Sequence, residues 1–87
     1  MHVTISGRVQ GVAFRHDTRR TALFLNLTGW VKNLPDGRVE AIFEGETDSI
    51  DTMLAWCSKG PPPAHVLHVD IQEKSYKGEF SDFRILL

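Results

Sequence analysis

The sequence has a single cysteine, Cys57, so it cannot form an internal disulfide. It also lacks a basic excess, because 10 Lys and Arg stand against 11 Asp and Glu for a formal net charge of −1. Dedicated nucleic-acid-binding domains usually carry surplus positive charge, which argues against that class. The amino-terminal stretch MHVTISGRVQ has no apolar core of the signal-peptide kind, and every fully apolar run is far too short to span a bilayer. We therefore expect a cytoplasmic protein that binds neither nucleic acid nor membrane.

The composition is that of an ordinary globular domain. Hydrophobic residues make up 41% of the chain and charged residues 24%. A length of 87 residues suffices for one modest hydrophobic core. No repeat, linker or low-complexity tract interrupts the sequence, so we predict that residues 1–87 form a single domain.

Hydrophobic periodicity changes once within the first 30 residues. The segment HVTISGRV alternates between apolar and polar positions, which predicts a strand. Apolar residues then recur at helical spacing, which predicts a helix that starts near Arg15. The predicted apolar face of this helix consists of Phe14, Thr18, Ala22 and Leu25, broadened by Leu23, Phe24 and Leu27. Gly29 follows the last periodic residues and is the expected helix stop.

Four more strands and a second helix are predicted in the rest of the chain. GWVKNL and RVEAIFEG flank the turn signal PDG and predict an antiparallel pair. Helical spacing of Ile50, Met53, Leu54 and Cys57 predicts a helix over about residues 48–59, with Asp48 as its N-cap. AHVLHVDIQEK predicts a strand with Leu67, Val69 and Ile71 on one face. YKGEFSD then predicts a turn region, and FRILL predicts a short terminal strand.

This order of elements predicts an α+β fold, the ferredoxin-like βαββαβ sandwich. It has an antiparallel sheet, two helices on one face and a short C-terminal fifth strand. The strands before and after the first helix run in the same direction. The loop after the first strand and the C-terminal end of the second strand therefore lie at the same end of the sheet, which places GRVQGVAFR near Asn33.

The stretch GRVQGVAFR has the features of an anion-binding loop. Gly7 and Gly11 allow positive φ and close approach to a ligand. Backbone N–H groups of such a loop can converge on an anion, and the start of the following helix adds positive potential. Arg15 offers a planar fork that matches phosphate or carboxylate oxygens. The spacing fits neither a Walker A loop nor a dinucleotide fingerprint. On spacing alone, an ordinary strand-to-helix turn explains the stretch equally well.

Other chemistry has weaker support in the sequence. His65 and His68 are predicted to point to opposite faces of an alternating strand, which makes a poor metal pair, so we expect no metal site. Cys57 is predicted to be a core thiol. The strand order also serves RNA-recognition modules, but the predicted third strand offers only Phe43 as an aromatic residue. A binding domain that holds an anion without catalysis remains an alternative.

GRVQGVAFR followed by GWVKNLPDGRVEAIFEG resembles the acylphosphatase family, and the resemblance extends to GPPPAHV and to FRI near the C-terminus. It implies a ferredoxin-like fold without metal or organic cofactor. It also implies hydrolysis of an acyl phosphate to a carboxylate and inorganic phosphate, a reaction of hydrolases that act on phosphorus-containing anhydrides. Inorganic phosphate or sulfate is then an expected ligand of the site, and nothing demands more than a monomer. Similar domains occur within larger carbamoyl-transfer proteins, which keeps the non-catalytic alternative open.

The resemblance also assigns residues. The family's catalytic arginine falls on Arg15 and its catalytic asparagine on Asn33, which would orient the attacking water. The phosphate-binding loop of the family falls on Arg8, Val9, Gln10, Gly11, Val12, Ala13 and Phe14. Many family members carry glycine or a small polar residue at the position of Ala13, so the backbone freedom of the loop is in question there. His16 is given no role.

Overall fold

The computed structural model describes residues 1–74, 78 and 80–86, which form five strands and two helices. Their bounds are β1 His2–Arg8, α1 Phe14–Phe24, β2 Thr28–Asn33, β3 Val39–Glu44, α2 Thr47–Lys59, β4 His65–Gln72 and β5 Phe83–Leu86. The order of elements confirms the predicted fold. Part of the predicted turn region YKGEFSD lies outside the described residues.

The strands form one sheet in the order β4-β1-β3-β2-β5. Neighbours among β1 to β4 pair antiparallel as predicted, whereas β5 pairs parallel with β2. Both β1 and β2 are antiparallel to β3, which lies between them, so β1 and β2 run in the same direction. The loop that follows β1 and the residue that ends β2 therefore lie at the same end of the sheet, as predicted.

The hydrophobic core lies between one face of the sheet and the two helices. It is a single cluster of buried residues: Val3, Ile5, Val9, Phe14, Ala22, Leu27, Val31, Val39, Ala41, Phe43, Ile50, Met53, Cys57 and Phe83. The rings of Phe43 and Phe83 stack with centroids 5.5 Å apart, which joins β3 to the last strand. Burying each large side chain of this kind stabilises the fold by about 1.5–3 kcal/mol.

Helix α1 buries a narrower face than predicted. Phe14, Thr18 and Ala22 are buried as expected, but the prediction for Leu23 and Phe24 is wrong, since they are 42% and 85% exposed. Both residues lie in the last turn of the helix. An apolar residue at helical spacing is buried only where another element covers it.

The end of α1 is formed by Asn26, so the prediction that Gly29 stops the helix is wrong. Asn26 has the left-handed φ of 60° that a helix terminus of this type requires. Its N–H donates to the carbonyl of Leu23 at 3.1 Å, and the N–H of Leu27 donates to the carbonyl of Ala22 at 2.9 Å. Asn tolerates this conformation better than other non-glycine residues.

Helix α2 begins one residue earlier than predicted. Its N-cap is Glu46, so the prediction of Asp48 as N-cap is wrong, and Asp48 instead lies in the first turn, where its charge suits the helix dipole. Ile50, Met53 and Cys57 are buried as predicted. Burial raises the pKa of the Cys57 thiol to about 12, so the side chain stays protonated and confirms the predicted core thiol.

A bulge changes the face that β4 presents. The register with β1 shifts between Ser6 and Gly7, so one residue of β4, Leu67, is left without a partner. Leu67 is 73% exposed and Ile71 is 48% exposed, whereas Val69 packs against the core. The predicted common face therefore holds for Val69 and Ile71, which pair with Ile5 and Val3, and is wrong for Leu67. A bulge is a relation between two strands that the alternation of one strand cannot reveal.

The same bulge brings two histidines to one side of β4. His68 pairs with Ser6 and His65 pairs with Arg8, two residues apart on β1. The prediction that His65 and His68 point to opposite faces is therefore wrong. Within residues 1–74, 78 and 80–86, however, no group of three or more His, Cys, Asp or Glu could hold a metal ion.

Gly7 is expected to be intolerant of any side chain. A Cβ at this position would lie 2.2 Å from the carbonyl oxygen of His65, and its φ is +125°. We expect Gly7→Ala to lower the free energy of unfolding by about 2–4 kcal/mol through overpacking and backbone strain. Denaturant unfolding measures the loss. Gly37→Ala is the control, because Gly37 also has positive φ, +95°, but open space around it. Equal losses in both variants would show that the contact with His65 is unimportant.

Candidate active site

A pocket of about 290 Å³ lies at the end of the sheet where β1 and β2 finish. Its lining consists of Val9, Gly11, Ala13, Phe14, Arg15, His16, Asn33 and Ile85. The topology thus brings Arg15 and Asn33 into one concave site. In the sheet, β3 lies between β1, which leads into the loop before Arg15, and β2, which ends at Asn33.

The backbone of the loop is preshaped for a small anion. Gly11 and Ala13 both have left-handed φ values, 74° and 60°, and residues of this kind allow successive N–H groups to converge. Ala13 therefore adopts the conformation for which glycine is the usual choice, although it carries a Cβ. It is the N-cap of α1, and no side chain caps the helix there. The leading N–H groups of α1 are thus left for another acceptor, such as an anion.

The charges around the pocket favour an anion. Arg15 lies in the first turn of α1, and the residues that line the pocket include no carboxylate. Asp17, the nearest acidic residue along the helix, does not line it, and its Oδ1 accepts a hydrogen bond from Nη2 of Arg20 at 2.8 Å. This hydrogen bond holds the Asp17 carboxylate at Arg20 instead of in the pocket. A bound phosphate would therefore meet a guanidinium and a helix start without a competing negative charge.

Asn33 presents an unpartnered acceptor at this site. It is the last residue of β2 and lies on the same side of the strand as Val31, which faces the core. Its Oδ1 is buried, and no hydrogen-bond donor reaches it in the described part of the chain. Leaving a buried amide oxygen unsatisfied costs about 1–3 kcal/mol. An ordered water or a substrate group in the pocket can supply the missing donor.

Three of the predicted loop residues do not line the pocket. Arg8 is exposed at the end of β1, and Val12 packs against the core. The side chain of Gln10 turns towards the hairpin between β2 and β3, where Nε2 donates to the carbonyls of Leu34 at 2.8 Å and Arg38 at 2.9 Å. The other four, Val9, Gly11, Ala13 and Phe14, line the pocket directly.

Sequence reasoning missed two residues of the lining, Ile85 and His16. Ile85 reaches the pocket because β5 pairs in parallel with β2, which sets Ile85 beside Val31. The alternation in FRIL already places Ile85 on the same side as the buried Phe83, which is the signal that could have found it. His16 follows Arg15 in the first turn of α1 and also lines the pocket.

Comparisons with known proteins agree with this geometry. The family model described as Acylphosphatase matches residues 1–85. The chain is 52% identical over 86 residues to an acylphosphatase of Syntrophus aciditrophicus (strain SB), covering 99% of this chain and 90% of that protein. An acylphosphatase structure from Coxiella burnetii has a TM-score of 0.93 at 49% identity, covering 98% of this chain and 88% of that one. The crystal structure of acylphosphatase from Bacillus subtilis has a TM-score of 0.95 at 32% identity, covering 99% and 96%.

In the described part of the chain, no helix is long and apolar enough to cross a bilayer.

The family match and the end-to-end similarity to acylphosphatases lead to one assignment. The chain belongs to the acylphosphatase family, hydrolases that act on acyl phosphates.

Proposed function

We propose that the loop and Arg15 hold the phosphoryl group of an acyl phosphate while Asn33 orients the attacking water. The oxygen of the water forms a bond to phosphorus, and the bond from phosphorus to the acyl oxygen breaks. The products are a carboxylate and inorganic phosphate. The reaction is that of a hydrolase acting on a phosphorus-containing anhydride, and no cofactor enters it.

The phosphoryl group needs charge neutralisation more than covalent chemistry. An acyl phosphate is already activated because carboxylate is a good leaving group, so positioning and electrostatics supply most of the catalysis. Arg15 can place two N–H groups on the equatorial oxygens. The free N–H groups at the start of α1 and the left-handed loop add further donors. These interactions strengthen as charge moves onto the oxygens in the transition state.

The observation that carries the assignment of Asn33 is that its Oδ1 is buried without a partner among the described residues, on a side chain that lines the same pocket as Arg15. An amide oxygen accepts a hydrogen bond from the attacking water and so fixes the direction in which the lone pair of the water points. The amide oxygen is too weak a base to remove a proton from that water. The proton therefore passes to an oxygen of the substrate phosphate. Asn33 acts by orientation alone.

A phosphate-release assay separates catalysis from mere anion binding. We expect the purified protein to release inorganic phosphate from benzoyl phosphate, and inorganic phosphate or sulfate to inhibit competitively. If the protein binds inorganic phosphate but does not hydrolyse benzoyl phosphate, it is a binding domain without catalysis, the alternative that the sequence left open.

We further propose that the protein acts as a monomer in the cytoplasm. The proposed mechanism uses Arg15, Asn33 and the loop, which one copy of the fold brings together. The single cysteine is a buried free thiol, which suits a reducing compartment. Size-exclusion chromatography with light scattering measures the oligomeric state.

Turnover is expected to survive an excess of chelator. The pocket lining offers one histidine and no carboxylate or thiol, whereas divalent cations in phosphoryl-transfer sites are usually held by carboxylates. We expect equal rates of phosphate release from benzoyl phosphate with and without excess EDTA, and no gain on adding Mg²⁺. Loss of activity in EDTA that a divalent ion restores would contradict the metal-free mechanism.

A further inference from the structure

The side chain of Gln10 joins the phosphate-binding loop to the hairpin that carries Asn33. Nε2 donates one hydrogen bond to the carbonyl of Leu34 at 2.8 Å and one to the carbonyl of Arg38 at 2.9 Å, so both of its N–H groups are used. We propose that Gln10 is a positioning residue that fixes Asn33, and the water it orients, relative to the bound phosphoryl group. This inference rests on the proposed function of Asn33.

The two acceptors of Gln10 are also the groups that close the hairpin turn. The N–H of Leu34 donates to the carbonyl of Arg38 at 2.8 Å, and the N–H of Gly37 donates to the carbonyl of Leu34 at 3.2 Å. Gln10 reaches both carbonyls only when the turn is closed in this form. The loop therefore docks on one defined conformation of the hairpin.

Asn33 depends on this docking more than Arg15 does. Asn33 ends the ladder of β2 with β3 opposite Val39 and immediately precedes Leu34, and in the described part of the chain its Oδ1 has no donor that would fix the side chain. The start of α1 is fixed separately, since the N–H of Asp17 donates to the carbonyl of Ala13 at 3.0 Å and Phe14 is buried in the core. Loss of the Gln10 bonds should therefore displace the water site while leaving most of the phosphate site intact.

The expected effect is a separation of turnover from phosphate affinity. A displacement of a reacting group by about 1 Å can reduce the rate by about 10²-fold. We expect Gln10→Leu, which keeps the bulk but removes both donors, to lower kcat for benzoyl phosphate about 10- to 100-fold. The inhibition constant of inorganic phosphate should change by no more than about 3-fold, because Arg15 and the start of α1 still bind it.

A double-mutant cycle with Asn33→Ala is the decisive measurement. If Gln10 acts through Asn33, then Gln10→Leu should cost little further kcat once Asn33 is already alanine. Multiplied losses in the double variant would show that Gln10 acts elsewhere and would overturn the inference. A phosphate inhibition constant that rises in step with the loss of kcat would overturn it too, because Gln10 would then support phosphate binding.

Two further variants keep the test independent of folding. Gln72→Leu is the matched control, since Gln72 is an exposed glutamine at the end of β4, and we expect its kcat to be unchanged. Gln10→Met provides a second, unbranched variant without donors, and unaltered kcat in a folded Gln10→Met or Gln10→Leu protein refutes the role. Failure of the proposed function looks different, because Asn33→Ala alone would then keep its turnover whatever Gln10 does.

Discussion

Replacing Arg15 with lysine is expected to lower kcat/KM for an acyl phosphate by about 10²–10³, the scale seen when an enzyme loses a donor to developing charge. Arg15 lines the pocket at the start of α1, where its planar fork can meet two phosphate oxygens at once. Lysine keeps the charge but concentrates it at one point on a flexible stem, so the paired contact is lost. The inhibition constant of inorganic phosphate should rise in the same variant, because the guanidinium holds both the ground state and the transition state.

Steady-state release of phosphate from benzoyl phosphate, with inorganic phosphate as competitor, measures both effects. Arg84→Lys is a suitable control. Arg84 is an exposed arginine on β5 that pairs with Asp82 at 3.2 Å and does not line the pocket. Near-normal turnover and phosphate affinity in Arg15→Lys would refute the assignment of Arg15 to the phosphate site.

Asn33→Ala is expected to fail in a different way. If Asn33 orients the water, kcat should fall by about 10²-fold while inorganic phosphate still binds with near-native affinity, the pattern of an interaction made mainly in the transition state. A role in supporting the hairpin turn would instead lower stability by about 1 kcal/mol and leave turnover intact. The structure favours the first outcome, because Oδ1 of Asp36 accepts the N–H of Arg38 at 3.1 Å and so supports the turn itself.

Turnover, phosphate affinity and melting temperature should be measured on the same sample of Asn33→Ala. Asn26→Ala is a useful contrast, since alanine at the left-handed end of α1 should lower the melting temperature without lowering specific activity. An active but less stable Asn33→Ala protein would reject the role in orienting water.

The sequence predicted the features of the fold that one element carries by itself. The helical spacing of Phe14, Thr18 and Ala22 identified the buried side of α1, and strand direction placed the loop beside Asn33. The buried side of α1 follows from local periodicity, and the strand directions follow from general rules of chain connection. Both can be read from the sequence without knowledge of tertiary contacts. The prediction of an anion-binding loop likewise came from its glycines and its arginine, although spacing alone left an ordinary turn equally possible.

Features that depend on two segments could not be predicted in this way. The exposure of Phe24 depends on what covers the last turn of α1, and the position of Leu67 depends on a register shift against β1. The bonds from Gln10 to Leu34 and Arg38 join a loop to a hairpin more than 20 residues later in the chain. Contacts of this kind form only when tertiary structure brings two segments together. The sequence of one strand or one loop therefore does not predict them.

The pocket has walls from stretches that are distant along the chain, namely six residues between Val9 and His16, then Asn33 and Ile85. Ile85 belongs to β5, which must pair with β2 across most of the sequence before that wall exists. Contacts of such long range are slow to form, because the chain loses loop entropy before it gains contact energy. A chain that can hold phosphate has therefore already assembled its sheet. On the proposed function, phosphate at 100 times its dissociation constant would favour that state by about 2.7 kcal/mol, and the product of the reaction would also be a ligand that selects for the folded chain.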